Sequence, residues 1–126
     1  MINAPAPNAD RLAILRATPE LAGWPKLSLL ALLGQFDEVT LPAGRSIAVE
    51  GSPCSQFVVV LDGTLVAGSA GGGTRVLRAG DSTGWCPMWQ RGLNEATVVV
   101  QSAARLLVMG HAQFRAIKAE RCGLAA

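Results

Sequence analysis

Residues 79–100, AGDSTGWCPMWQRGLNEATVVV, form the stretch whose residue types and spacing best suit ligand chemistry. It reads as a phosphate-binding loop between two strands. Gly80 and Gly84 allow tight turns, and the chain restarts as a strand at ATVVV. Glycine, lacking a Cβ, lets the backbone come close to a bound group. Trp85 and Asn94 stand where such a site would call for a carboxylate and an arginine.

Other chemistries lack their residues. His111 is the only histidine, so no triad and no paired imidazole ligands can be assembled. Cys54, Cys86 and Cys122 are odd in number, and no pair has metal-finger spacing. Glu50, Asp62 and Asp81 stand beside Gly51, Gly63 and Gly80, where carboxylates serve turns rather than acid–base catalysis. No enzymatic activity, metal or cofactor is expected.

Composition narrows the classes further. The chain has 126 residues, half of them hydrophobic and 16% charged, which suits one domain with its own core. The net charge of +2 comes from scattered arginines rather than a basic stripe, so no nucleic-acid partner is expected. MINAPAPNAD lacks the basic start and apolar run of a signal peptide. No apolar run approaches the roughly 18 residues of a membrane span. A cytoplasmic chain with reduced thiols is the expectation.

The elements that must position the loop follow from periodicity. Residues 1–9, with Pro5 and Pro7, read as a flexible tail, and residues 10–126 as a single domain. Asp10 is placed to cap a helix that ends before Pro19. A second helix starts at Pro25 and ends at Gly34, with Leu27, Leu30, Ala31 and Leu33 as its apolar stripe. Short strands follow at intervals of about ten residues, punctuated by glycine and proline. Asp62-Gly63 is the strongest hairpin signal and splits QFVVVLDGTLVAGSA into two strands. ATVVVQSAARLLVMG reads as two more. A last helix begins near His111, with Phe114 and Ile117 on one face and Gly123 at its end. Helices lie before and after the strands, which argues against a parallel sheet. The expected fold is mainly β, an antiparallel double-sheet jelly roll with a helical N-terminus and a short C-terminal helix.

Four segments in this order resemble the cyclic-nucleotide-binding domain, the jelly-roll sensor of catabolite-activator-type regulators and protein kinase A regulatory subunits. They are VTLPAGRSIAVEG, FVVVLDGTLVAG, LRAGDSTG and ATVVVQSAARLLVMGHAQFRAI. The resemblance covers about residues 12–119. It implies a phosphate-binding cassette after Gly84, with Gly84, Trp85, Cys86, Arg91, Asn94, Ala96 and Thr97 around the ligand. In the family a glutamate holds the ribose hydroxyl and an arginine pairs with the phosphate. Here those positions carry Trp85 and Asn94. Glu95 adds a negative charge beside the phosphate position, and Pro87 removes one amide donor from the helix start. Arg91 is the remaining candidate for an anion. Some relatives bind haem or an iron–sulfur cluster, and the cysteine spacing here supports neither.

Trp85, Met88 and Trp89 have two readings: they fill the vacated pocket and pack on the sheet, or they form an exposed anchor patch for a partner. The leading functional expectation is a non-enzymatic regulatory or interaction module with a degenerate cassette. It would not bind cAMP or cGMP and would dock on a separate effector protein, with a homodimer also possible. The alternative is a small-molecule or cyclic-nucleotide sensor with altered pocket chemistry. It requires an open pocket rather than one filled by Trp85. A metal-dependent enzyme of the cupin jelly-roll class would need several histidine ligands. The sequence reaches Ala126 without a helix-turn-helix or catalytic segment, hence the expectation of an output through another protein.

Overall fold

The computed structural model describes residues 7–116. Two helices lead, α1 (Pro7–Ala17) and α2 (Lys26–Leu33), with a 3-10 turn at Pro19–Leu21 between them. Six strands follow: β1 (Asp37–Leu41), β2 (Ser46–Ala48), β3 (Gln56–Gly68), β4 (Thr74–Leu77), β5 (Ser82–Thr83) and β6 (Thr97–Gly110). A short helix, α3 (Trp85–Gln90), stands between β5 and β6, and residues 111–116 are helical. The α1 helix begins at Pro7, three residues ahead of the expected Asp10 cap and inside the segment read as a tail. Proline tolerates a first-turn position because its missing N–H has no intrahelical partner there. Ile117, Cys122 and Gly123 lie outside the described residues.

The sheet is antiparallel throughout, and β3 and β6 form its spine. They pair from Gln56–Gly110 at one end to Gly68–Thr97 at the other. One half of the pair carries β1 and β5 at its edges; the other half carries β2 and β4. Register shifts between Val60 and Leu65 interrupt the ladder where the halves meet. The expected hairpin at Asp62-Gly63 is therefore a correction: the chain runs straight on through a bulge as one 13-residue strand. Likewise 97–110 is one strand, not two. The dipeptide's capacity for positive φ is used to bend a strand, with Gly63 at φ +88°.

Strand alternation sorts the core into two clusters. Phe57, Val59, Leu61, Leu107 and Met109 face the helices and bury Leu15, Leu21, Leu29, Leu32, Met88 and Phe114. Val58, Val60, Leu65, Val98, Val100 and Leu106 face the interior of the roll. The continuous FVVVL run of β3 reflects this burial on both faces. On α2 the buried residues are Leu29 and Leu32, while Leu27 is 80% exposed and Leu30 and Ala31 are also exposed. The stripe expected at Leu27, Leu30 and Ala31 is thus turned outward. KLSLLALL is apolar on nearly every side, so periodicity alone does not choose the core face. Glu38 bridges Arg11 and Arg105, tying α1 to β1 and β6.

Candidate functional site

The segment singled out by composition is built onto the middle of the sheet. β5 pairs with Val58 and Val59 of β3, and the chain then turns at Gly84 into α3. Gly84 sits at φ +97°, and a Cβ there would lie 2.4 Å from the carbonyl oxygen of Gln56. Only glycine lets the helix start this close to β3. Of the three residues of the first turn, Pro87 has no N–H to offer, so Trp85 and Cys86 keep the free amides. The helix closes at Arg91, in a left-handed conformation at φ 52°. The chain is then laced to the β2–β3 loop. The amide of Cys54 donates to the Gly92 carbonyl (3.0 Å), that of Asn94 to Ser52 (2.8 Å), and that of Gly51 to Asn94 (3.0 Å).

Between this lacing and the β3–β4 hairpin lies a cleft of about 200 Å³. Its base is Ala67 and Ser69 at the end of β3. One wall is Gly73 and Arg75 at the start of β4; the others are Thr83, Gly84 and Pro87, and Asn94, Glu95 and Ala96. Three of the residues placed around a ligand from the sequence, Gly84, Asn94 and Ala96, do line it. Trp85, Cys86, Arg91 and Thr97 do not. Arg91 is exposed beyond α3, and the Thr97 hydroxyl accepts a hydrogen bond from the Glu50 amide (3.0 Å). Asn94 turns its side-chain amide to the Val49 carbonyl (3.2 Å). Glu95 and Arg75 take part in no ion pair among the described residues.

Trp85 points away from the cleft. Its ring lies 5.1 Å from Phe57, 5.4 Å from Phe114 and 5.8 Å from Trp89, all edge to face, with Trp24 at 6.5 Å. Met88 is 1% exposed and belongs to the same cluster. The three residues therefore do pack on the sheet, but they do not fill the pocket, and Met88 is unavailable as a surface anchor. Trp85 and Trp89 are half-buried, and with Cys86 and Gln90 they line an open depression on the outer face. A helix of 3.6 residues per turn separates these fates: Pro87 reaches the cleft, while 85 and 89, four apart, share the opposite side.

Two further residues brace the cassette. Nε2 of His111 lies 3.0 Å from the Cys54 carbonyl, fastening the last helix to the same loop. The Cys54 thiol is buried next to the carbonyls of Gln56 and Gly84. Burial pushes its pKa above the ordinary value, Glu95 adds in the same direction, and a backbone hydrogen bond with Gln56 opposes. A raised pKa and burial both disfavour the thiolate, the nucleophilic form. Cys86 is exposed. No group of three His, Cys, Asp or Glu among the described residues could hold a metal ion. Among them no helix is long and apolar enough to cross a membrane.

A glycine-started helix between two strands, seated at the junction of a jelly roll, is the layout of one sensor family. Its profile, the cyclic nucleotide-binding domain, matches residues 38–121, about two thirds of the chain. The chain belongs to this family. No curated protein matches the sequence. Among solved structures, the regulatory domain of Toxoplasma gondii PKA, crystallised with cAMP, is similar with a TM-score of 0.79 and 22% identity. That likeness covers 92% of this chain and 46% of the Toxoplasma chain, so this chain spans about half of that one's length. The N-terminal domain of a transcriptional regulator from Streptomyces coelicolor A3(2) aligns with a TM-score of 0.74 and 25% identity, covering 89% of this chain and 82% of its own. A cyclic nucleotide-binding-like protein from Brucella abortus aligns at 0.73 and 20%, covering 86% and 97%.

This cyclic nucleotide-binding domain thus combines the family's fold with a cleft walled by β3, β4, α3 and the approach to β6. Sequence reasoning missed Arg75 as a wall residue. The signal was available: a hairpin closed by GSAGGG places Arg75 opposite Ala67, which the structure pairs directly. Thr83 and Ser69 carry no comparable signal.

Proposed function

We propose that this domain is a non-catalytic regulatory module whose cleft senses a small ligand by altered chemistry, without gripping cAMP or cGMP in the family manner. The observation that carries the reading is the side chain of Asn94. It stands at the family's phosphate-arginine position and is hydrogen-bonded to the Val49 carbonyl, with the Glu95 carboxylate beside it in the wall. An anion at that position meets a like charge and no guanidinium from residue 94; the arginine of the lining, Arg75, stands on the β4 wall instead. Truncating one partner of a desolvated charge pair costs about 2–5 kcal/mol, which is roughly 30-fold to a few thousand-fold in affinity. The open cleft, with Trp85 turned away, favours a sensor over a filled remnant.

Partner docking on the depression lined by Trp85 and Trp89 is the second reading. It is supported by two half-buried indoles on one outer face, a residue type enriched at interface hot spots.

A thermal-shift titration tests the proposal. Ligand at 100 times its dissociation constant stabilises a binder by about 2.7 kcal/mol. No shift is expected with cAMP or cGMP in the micromolar range, and a shift of that size would overturn the reading.

A further inference from the structure

We infer that the cleft takes a small zwitterion, its cation against Glu95 and its anion against Arg75. The inference rests on the reading that the cleft no longer serves a cyclic phosphate.

Three observations lead to it. The first is the placing of charge. In the sheet β3 lies between β6 and β4, with Ala67 paired to Val98 on one side and to Arg75 on the other. Arg75 stands on β4, and Glu95 stands three residues before Val98, at the approach to β6. Strands pair at about 4.8 Å, so β4 and β6 run about 10 Å apart across β3. The cleft above Ala67 therefore has a cationic group on one flank and an anionic group on the other. Neither is engaged by an ion pair among the described residues.

The second is size. About 200 Å³ is below the range of roughly 300–1,000 Å³ typical of pockets for drug-sized ligands. The third is what the lining lacks. It has the hydroxyls of Ser69 and Thr83 and the small apolar surfaces of Ala67, Ala96 and Pro87, but no aromatic ring. The nearest indole in sequence, Trp85, is committed to Phe57 and Phe114. A flat base gains no stacking partner here.

Selectivity follows from charge. A plain anion attracted by Arg75 meets Glu95, and a plain cation attracted by Glu95 meets Arg75. Only a molecule carrying both signs has each matched, so the opposing wall acts against half-charged competitors.

The test uses the full chain and amide chemical shifts in solution. Glycine, β-alanine and γ-aminobutyrate offer both charges at increasing separation; butyrate and butylamine each offer one. We expect at least one of the three zwitterions to shift the amides of Gly73, Thr83 and Ala96, with at least tenfold higher affinity than butyrate or butylamine. Arg75→Gln and Glu95→Gln, at exposed positions, should each remove that preference and leave the fold intact. No shifts with any zwitterion, or equal affinity for the half-charged analogues, overturns the inference. A parallel cAMP titration separates the two levels. Binding of cAMP at this cleft would overturn the functional reading itself, whereas silence from both cAMP and the zwitterions would overturn only the ligand class.

Discussion

Gly63→Ala tests the architecture that holds the cleft. At this residue β3 passes over β6 through its bulge, with φ +88°. A Cβ added there would lie 2.3 Å from the carbonyl oxygen of Ala103, 2.7 Å from Cα of Ala104 and 2.9 Å from its Cβ. Two of these are backbone atoms of a central strand, so relief requires moving β6. A left-handed conformation costs a non-glycine residue about 1–2 kcal/mol. Overpacking a tight contact costs a further 1–3 kcal/mol or so. The combined loss is on the order of 2–5 kcal/mol, against a total stability of about 5–15 kcal/mol for an ordinary domain. With a urea dependence of about 1–3 kcal/mol per molar, the unfolding midpoint should fall by on the order of 1–3 M at an unchanged slope. Had Asp62-Gly63 been the tip of an exposed hairpin, only the conformational part would be lost. A midpoint lowered by less than about 0.5 M would refute the close crossing and the reasoning built on it.

Restoring the family's anchor should restore its ligand: Asn94→Arg with Glu95→Ala is expected to raise cAMP affinity roughly 30-fold to a few thousand-fold by calorimetric titration. Asn94→Arg alone should gain less, because Glu95 stays beside the new cation. Arg91→Gly should stabilise the fold by up to about 1 kcal/mol in denaturant titrations, since Arg91 is the one non-glycine residue at positive φ among the described residues. Cys54 bears on alkaline stability. Its folded pKa lies above the ordinary 9.0, so the unfolded thiol ionises first and stability is lost as pH rises through 9.0 toward the folded value. Cys54→Ala should flatten that part of the alkaline decline when urea midpoints are compared across about pH 8–10; parallel declines would show that the thiol does not contribute.

How far this molecule could be read from its residues depended on whether each decision was local. The jelly roll was legible because turns near Gly44, Gly51 and Gly80 and alternating strands carry it in short windows. Its long strands were not: Asp62-Gly63 has the same local chemistry in a hairpin tip and in a bulge. What distinguishes them is the partner strand, some forty residues away at Ala103 and Ala104. The outward face of α2 was misjudged because Leu27 and Leu29 are equally apolar, and only tertiary packing chooses between them. The turn at Gly84 was readable from spacing, and the structure starts α3 there. The direction of the Trp85 ring was not, since it is set by contacts with Phe57 and Phe114, which come from distant segments.

The aromatic cluster also gives the protein an optical property. The chain has three tryptophans and no tyrosine, and all three indoles meet at Trp85. Near-ultraviolet emission therefore originates from one spot, the outer side of α3. The same six-residue helix presents Pro87 to the cleft. Occupancy that displaces α3 changes the surroundings of every indole at once. Occupancy that leaves the emission spectrum unaltered leaves α3 in place. The domain carries an intrinsic fluorophore on the side of α3 that faces away from the cleft.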